Sequence, residues 1–394
     1  GQFYMVDSDV DLTVAYNTKP WDMYLVTVSK ENDDGEPMND ATVLNTTVSM
    51  PAASKGTIWT GAYTDNVVRV DATTAPNYYI IDFILTKDDG TRVDHLAQKY
   101  ANHVVLTMED YNVNVKVVYS TEPPEPVDLT LEAVNHAGEA GNAADIDVDS
   151  RTLHADGTTP SNSLTNVPVN APMDLTTTHA TGYSVEKVEI IINNIASELL
   201  LTDGAVTMPN MPLMDATVKV YYQEGTKTGR PYDPDHSEQY NSPSYSHSDP
   251  AQNLSQNSQE GWILAQTVDA NHFSINVPAL YDGDIHDTEQ LVSAYQLYWH
   301  DGVTFRPLAA TGDNADVAIT AGTVPSVTSP YGTLQYALNV EVLVDTAGQA
   351  VGVPGRWGGY ALLDYLTDGG SIYITAKGQA PDALESDKTE VVIP

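Results

Sequence analysis

The chain has 394 residues, with 54 Asp and Glu against 17 Lys and Arg and a formal net charge of −37 at pH 7. That balance repels nucleic-acid phosphates and anionic membranes, so neither nucleic acid nor membrane insertion is expected. There is no cysteine, which excludes a disulfide framework, a thiol nucleophile and a thiolate metal site.

Taken in chain order, strands are predicted at 10–17, 21–29, 40–49, 66–73, 78–86, 103–108 and 112–120, where apolar and polar residues alternate. Asn32-Asp33-Asp34-Gly35-Glu36-Pro37 and Lys87-Asp88-Asp89-Gly90 read as turns. The stretch from His95 to Tyr100 reads as a short helical turn. TEPPEP at 121–126 has three prolines in six residues and reads as a stiff, extended spacer. A second series follows at 127–134, 144–150, 173–179, 184–192, 204–208 and 216–223. Residues 224–260 lack both periodicity and core residues and read as a polar linker or a long loop. Beyond them, apolar pieces fall at 262–267, 272–280, 291–299, 315–320, 331–345, 359–366 and 371–376. TEVVIP (389–394) is the candidate closing strand. LVSAYQLYW (291–299) fits a strand by its alternation and a helical turn by its leucine and alanine.

Two phrases repeat: TMEDYNVNVKVVYSTE (107–122) and TMPNMPLMDATVKVYYQE (207–224). In each, valines alternate with polar residues, the mark of a strand with one buried face. Asp110 and Asp215 precede these strands, where a short carboxylate can accept backbone N–H groups. Upstream, VDATTAPNYYIIDFIL (70–85) parallels LTTTHATGYSVEKVEI (175–190), and VDLTVAY (10–16) parallels VDLTLEAV (127–134). The period is too long for a solenoid and points to duplicated units. The expected fold is all-β: tandem small β-sandwich (immunoglobulin-like) domains followed by a larger β-sandwich or jelly-roll-like domain. The expected boundaries are 1–121, 122–224, a linker or loop at 225–261, and 262–394.

The Thr-Met-Pro step leading into x-Val-x-Val-x-Tyr, best seen in TMPNMPLMDATVKVYY, resembles the end of the divergent internalin-type B repeats of bacterial surface proteins. GYSVEKVEI (182–190) resembles their opening, although the usual central tryptophan is missing and Glu109 replaces the proline in the first copy. The resemblance implies an extracellular, multi-domain protein with an architectural or adhesive role.

No G-x-S-x-G elbow, phosphate loop or H-E-x-x-H motif is present, and no catalytic residue is assigned. Glu186 and Glu189 lie on a predicted strand, where a solvated face is favoured over a hydrolytic carboxylate pair. His236 and His247 among Asp233, Asp235 and Asp249 match no standard ligand spacing. Asp282, Asp284 and Asp287 around Gly283 offer hard oxygen ligands on a turn, which suits calcium; an exposed acidic turn is the competing reading. Asp33, Asp34, Glu36 and Asp40 are similar. For carbohydrate, Arg356, Trp357 and Tyr360 on a glycine-rich loop form the candidate platform, and Trp299-His300-Asp301-Gly302 is a second one. Either tryptophan could equally be tucked over the end of a sandwich. The chain opens on Gly1, as a processed, trimmed or rebuilt start would, and a removed export signal is one reading of it. These features point to a non-enzymatic secreted or cell-surface structural protein that self-associates or binds other surface proteins. A glycan-binding adhesin and a viral capsid or surface protein are the alternatives.

Overall fold

The computed structural model describes most of residues 24–227 and 264–392, with its longer gaps at 40–45, 139–150, 155–162, 278–288, 323–327, 344–361 and 378–382. Its first strands are β1 (Tyr24–Asn32), β2 (Thr46–Met50), β3 (Ala53–Ser54), β4 (Ile58–Ala62), β5 (Val67–Ala72), β6 (Tyr79–Thr86), β7 (Ala97–Lys99), β8 (His103–Thr107) and β9 (Val113–Ser120). They form two sheets, ordered β4-β1-β9-β6 and β3-β2-β5-β8-β7. Val26, Phe83 and Val115 from the first sheet meet Val48, Val68 and Leu106 from the second in one buried cluster. The alternation read from the sequence sets this packing. Val113, Val115 and Val117 are fully buried while Asn114 and Lys116 between them are only partly so. Burying each valine contributes about 1.5 kcal/mol or more.

The next strands are β10 (Val127–Asn135), β11 (Arg151–His154), β12 (Ser163–Val167), β13 (Met173–Thr176), β14 (Tyr183–Ile192), β15 (Ile195–Leu199), β16 (Leu201–Thr202), β17 (Ala205–Val206), β18 (Ala216–Glu224) and β19 (Thr226–Lys227). Their sheets run β12-β10-β18-β14-β15 and β11-β13-β17-β16, around a second cluster that includes Leu129, Val188 and Val218 with Leu175 and Val206.

The duplication extends to irregularities. In both sets the first long strand runs parallel to the last, β1 with β9 and β10 with β18. The antiparallel neighbour of the last strand is bulged at the matching place, between Ile80 and Asp82 in β6 and between Val185 and Lys187 in β14. A further bulge falls between Tyr24 and Val26 in β1 and between Val127 and Leu129 in β10. At this second bulge the freed N–H is accepted by a side chain just ahead of the last strand. Leu25 N–H donates to Asn112 Oδ1 at 2.9 Å, and Asp128 N–H donates to Asp215 Oδ1 at 2.8 Å. Asp215 thus caps a backbone donor, as its sequence position suggests, but its counterpart is Asn112, not Asp110. The sheets also correct one sequence match. The strand in the place of Val127–Asn135 is Tyr24–Asn32, because pairing with the last strand, not the string Val-Asp-Leu-Thr, fixes the position. Residues 10–16 lie outside the described residues.

The last strands are β20 (Leu264–Thr267), β21 (His272–Val277), β22 (Tyr295–His300), β23 (Phe305–Pro307), β24 (Val317–Gly322), β25 (Thr328–Ser329), β26 (Gly332–Thr333), β27 (Tyr336–Val342), β28 (Ser371–Ala376), β29 (Ala383–Leu384) and β30 (Thr389–Val392). Two four-stranded antiparallel sheets, β20-β21-β27-β24 and β23-β22-β28-β30, share a third cluster holding Phe273, Ile275 and Val340 with Leu297, Ile372 and Ile374. LVSAYQLYW resolves into a strand from Tyr295, with Ser293 and Ala294 helical. The fold is all-β, with sheets stacked in pairs. The turn expected between His95 and Tyr100 is a 3₁₀ turn over Asp94–Leu96.

Candidate functional site: an edge strand and the cleft beside it

β15 extends a return that the first set reduces to a single Thr86–Arg92 bridge, and it is where the three core clusters are linked. It is the return arm of a hairpin whose two turn residues, Asn193 and Asn194, have φ of 55° and 63°. Asparagine tolerates that left-handed backbone, and two such residues in succession match the right-handed twist of a tight hairpin. The turn faces the 94–99 segment. Asn193 Nδ2 donates to Asp94 O at 2.6 Å and to Ala97 O at 3.2 Å. Gln98, only 1% exposed, donates from Nε2 to Ile195 O at 2.9 Å and accepts from Ser197 Oγ at 2.7 Å.

Two apolar side chains cross the same joint in opposite directions. Tyr100 belongs to the second cluster, and Leu213 packs against the first while its N–H donates to Lys99 O. Tyr100 stacks on His103 with ring centroids 4.4 Å apart. Burial, reinforced by Arg69, holds His103 at about 4, and burial raises the Tyr100 hydroxyl. Beneath them, Lys99 Nζ lies 2.8 Å from Asp82 and 3.6 Å from Asp94, with its side chain 7% exposed. A buried ammonium requires such partners.

The far end of β15 engages the third set. Glu198 N–H donates to Val303 O at 2.8 Å, and Glu198 O lies 3.3 Å from His300 Nε2. The Glu198 carboxylate holds Lys388 at 2.9 Å. The Lys388 ammonium sits over the rings of Phe305 and Tyr298, at 4.7 and 5.1 Å. Beside this contact β19 pairs in parallel with β29, and Lys227 is paired with Asp387. Burial holds His300 below the ordinary histidine range.

These contacts enclose a cleft of about 440 Å³ whose wall carries Glu186, Lys187, Glu198, Lys227, Glu385 and Lys388. Tyr298 donates to Glu385 Oε1 at 2.7 Å, and Thr375 donates to the same oxygen. Burial and then Glu385 raise the Tyr298 hydroxyl, which therefore stays protonated as a donor.

The residues singled out by sequence fall elsewhere. Arg356, Trp357 and Tyr360, together with Asp282, Asp284 and Asp287, lie outside the described residues, as do His236 and His247. Trp299 is 5% exposed and belongs to the third cluster, so it is no open platform. Asp301 closes the adjacent turn by accepting from the Val303 and Thr304 N–H groups. Glu186 and Glu189 are occupied, the first by His136 at 2.7 Å and the second by Lys187 and the Tyr221 hydroxyl, both at 2.6 Å. Asp33 accepts from Ser120. Among the described residues no group of three or more His, Asp or Glu is gathered as a metal site would require. The joint residues Gln98, Asn193, Ser197 and Glu198 were missed by sequence. One signal was present: Asn193-Asn194 between two apolar runs is a hairpin sign.

No family model and no curated protein matches this chain. Among solved structures, a C-terminal fragment of the pilus adhesin SpaC from Lactobacillus rhamnosus GG is similar at 12% identity and TM-score 0.17, over 51% of this chain and 97% of that one. The major pilin from Streptococcus pyogenes matches at 10% identity and TM-score 0.18, over 52% and 99%. Chicken CNTN1 FN1–FN3 domains match at 6% identity and TM-score 0.15, over 89% and 99%.

Proposed function

We propose that this chain is a non-enzymatic structural component of an extracellular or cell-surface assembly, in which β-units 1–121, 122–224 and 262–394 are held as one stiff row. The supporting observation is β15. A five-residue edge strand is bonded at one end to Gln98 and at the other to Val303, His300 and Lys388. Flexible strings of domains leave such joints to solvent, and relative motion is their default. Here backbone groups of an edge strand, otherwise a liability for uncontrolled pairing, are consumed by neighbours along the chain. The acidity of the chain keeps a crowded surface layer from collapsing on itself.

Small-angle scattering on the full chain tests the stiffness. One fixed maximum dimension, unchanged between low and moderate salt, is expected; a broad distribution characteristic of freely jointed beads would refute it. Labelling of intact against lysed cells of the source organism with an antibody to the chain tests the location. Signal only after lysis would refute a surface role.

A further inference from the structure

We propose that the cleft between β14–β15 and the 384–388 segment is a binding site for a neutral, hydroxyl-rich ligand, a mono- or disaccharide. Its volume of about 440 Å³ lies within the range of about 300–1,000 Å³ typical of small-molecule sites, which favour joints between units.

The charge pattern selects the class. Three lysines and three glutamates line the space, with Glu189 and Asp387 pairing two of the lysines from outside it, so an anion is disfavoured and a cation still meets three ammonium groups at close quarters. The three ammonium groups are already committed. Lys388 holds Glu198, Lys227 holds Asp387, and Lys187 holds Glu189. What remains is mostly acceptor capacity. Among the described residues, Glu385 uses Oε1 for Tyr298 and Thr375 and has no partner at Oε2. Among the same residues, Glu186 uses Oε2 for His136 and has no partner at Oε1. Gln223, on β18, brings an amide to the wall, and among the described residues its side chain has no hydrogen-bond partner. Free carboxylate oxygens beside an amide suit a ligand that donates several hydrogen bonds without bringing charge. Sugar hydroxyls do this, and each can also accept from the amide or from an ammonium N–H left over. The partly buried Leu384 gives the ring's C–H face some apolar carbon to lie against; the Tyr298 and Phe305 rings are covered by Lys388. The site exists only while the second and third sets of strands are docked, so a ligand held there also braces that joint.

The test is saturation-transfer NMR followed by calorimetry on the full chain. The neutral probes are glucose, maltose and lactose, with galacturonate and glucosamine as anionic and cationic counterparts. At least one neutral sugar is expected to bind saturably and more tightly than either charged analogue. Gln223→Ala and Glu385→Gln should each weaken it by about tenfold or more, since each removes a hydrogen bond to a site the ligand has desolvated. Because Glu385→Gln can disturb docking through Tyr298, the half-buried Gln223→Ala decides if that variant unfolds. Absence of saturable binding by all three neutral sugars overturns the assignment. So does tighter binding of a charged analogue, or neutral-sugar affinity unchanged in Gln223→Ala.

Discussion

Replacing Gln98 by leucine keeps most of the side chain's volume while removing both hydrogen bonds across the first joint. Ile195 O then loses an amide donor, and Ser197 Oγ, in a residue 7% exposed, loses its acceptor. Each buried group left unsatisfied costs about 1–3 kcal/mol, so Gln98→Leu, which strands two, is expected to destabilise the joint by about 2–6 kcal/mol. Ser197→Ala removes one of the two bonds and leaves only Gln98 Oε1 unpaired, for about 1–2 kcal/mol. In the double variant the Ser197 penalty has already been incurred, so the two costs should fall short of additivity by about 1 kcal/mol. Urea unfolding of all four proteins gives this cycle, with a probe across the joint, such as a dye pair on residues 87 and 210, separating undocking from melting of either sheet pair. A cost below about 0.5 kcal/mol for Gln98→Leu, or strict additivity, would show that the buried amide does not hold the joint and would remove the main support for a stiff row.

Asp215→Asn should be nearly neutral, because Asn112 performs the same capping in the first set, whereas Asp215→Ala should cost about 1 kcal/mol in thermal or urea unfolding. Asn193→Ala puts an alanine at φ 55° and strips the Asp94 and Ala97 carbonyls of a donor; a loss of about 1–3 kcal/mol is expected, while Asn194→Gly should be tolerated. His103 titrates at about 4 in the fold against an ordinary 6.5, so the unfolded chain binds its proton first. Its contribution to stability is complete above about pH 6.5 and is lost progressively as pH falls towards 4, and His103→Gln should flatten the stability profile in that window. Lys388→Ala removes a partly buried ion pair and the cation over Phe305 and Tyr298; it should loosen the second joint, read as a larger scattering dimension, and leave the Gln98 joint unchanged.

Strands whose two faces differ can be read from residue types alone. Val113–Ser120 and Ala216–Glu224 were legible because period-two burial writes itself into alternating residue types, and the repeated phrase made the duplication visible. Three of the edge strands were not legible. Ile58–Ala62, Ser163–Val167 and Ile195–Leu199 are short, Ile58 is exposed and the other two strands are partly so, which leaves little to select their residues for a buried face. The match of 10–16 to 127–134 failed because four shared residue types specify a strand but not which partner it pairs with. The folded arrangement settles that Tyr24–Asn32 lies parallel to Val113–Ser120. It alone brought Gln98 within reach of Ser197, 99 residues away, and Lys388 within reach of Glu198, 190 residues away. Hydrogen bonds and ion pairs between distant residues leave no periodicity along a chain. A glutamine, a serine, a glutamate and a lysine read as solvated surface until the fold removes the water around them.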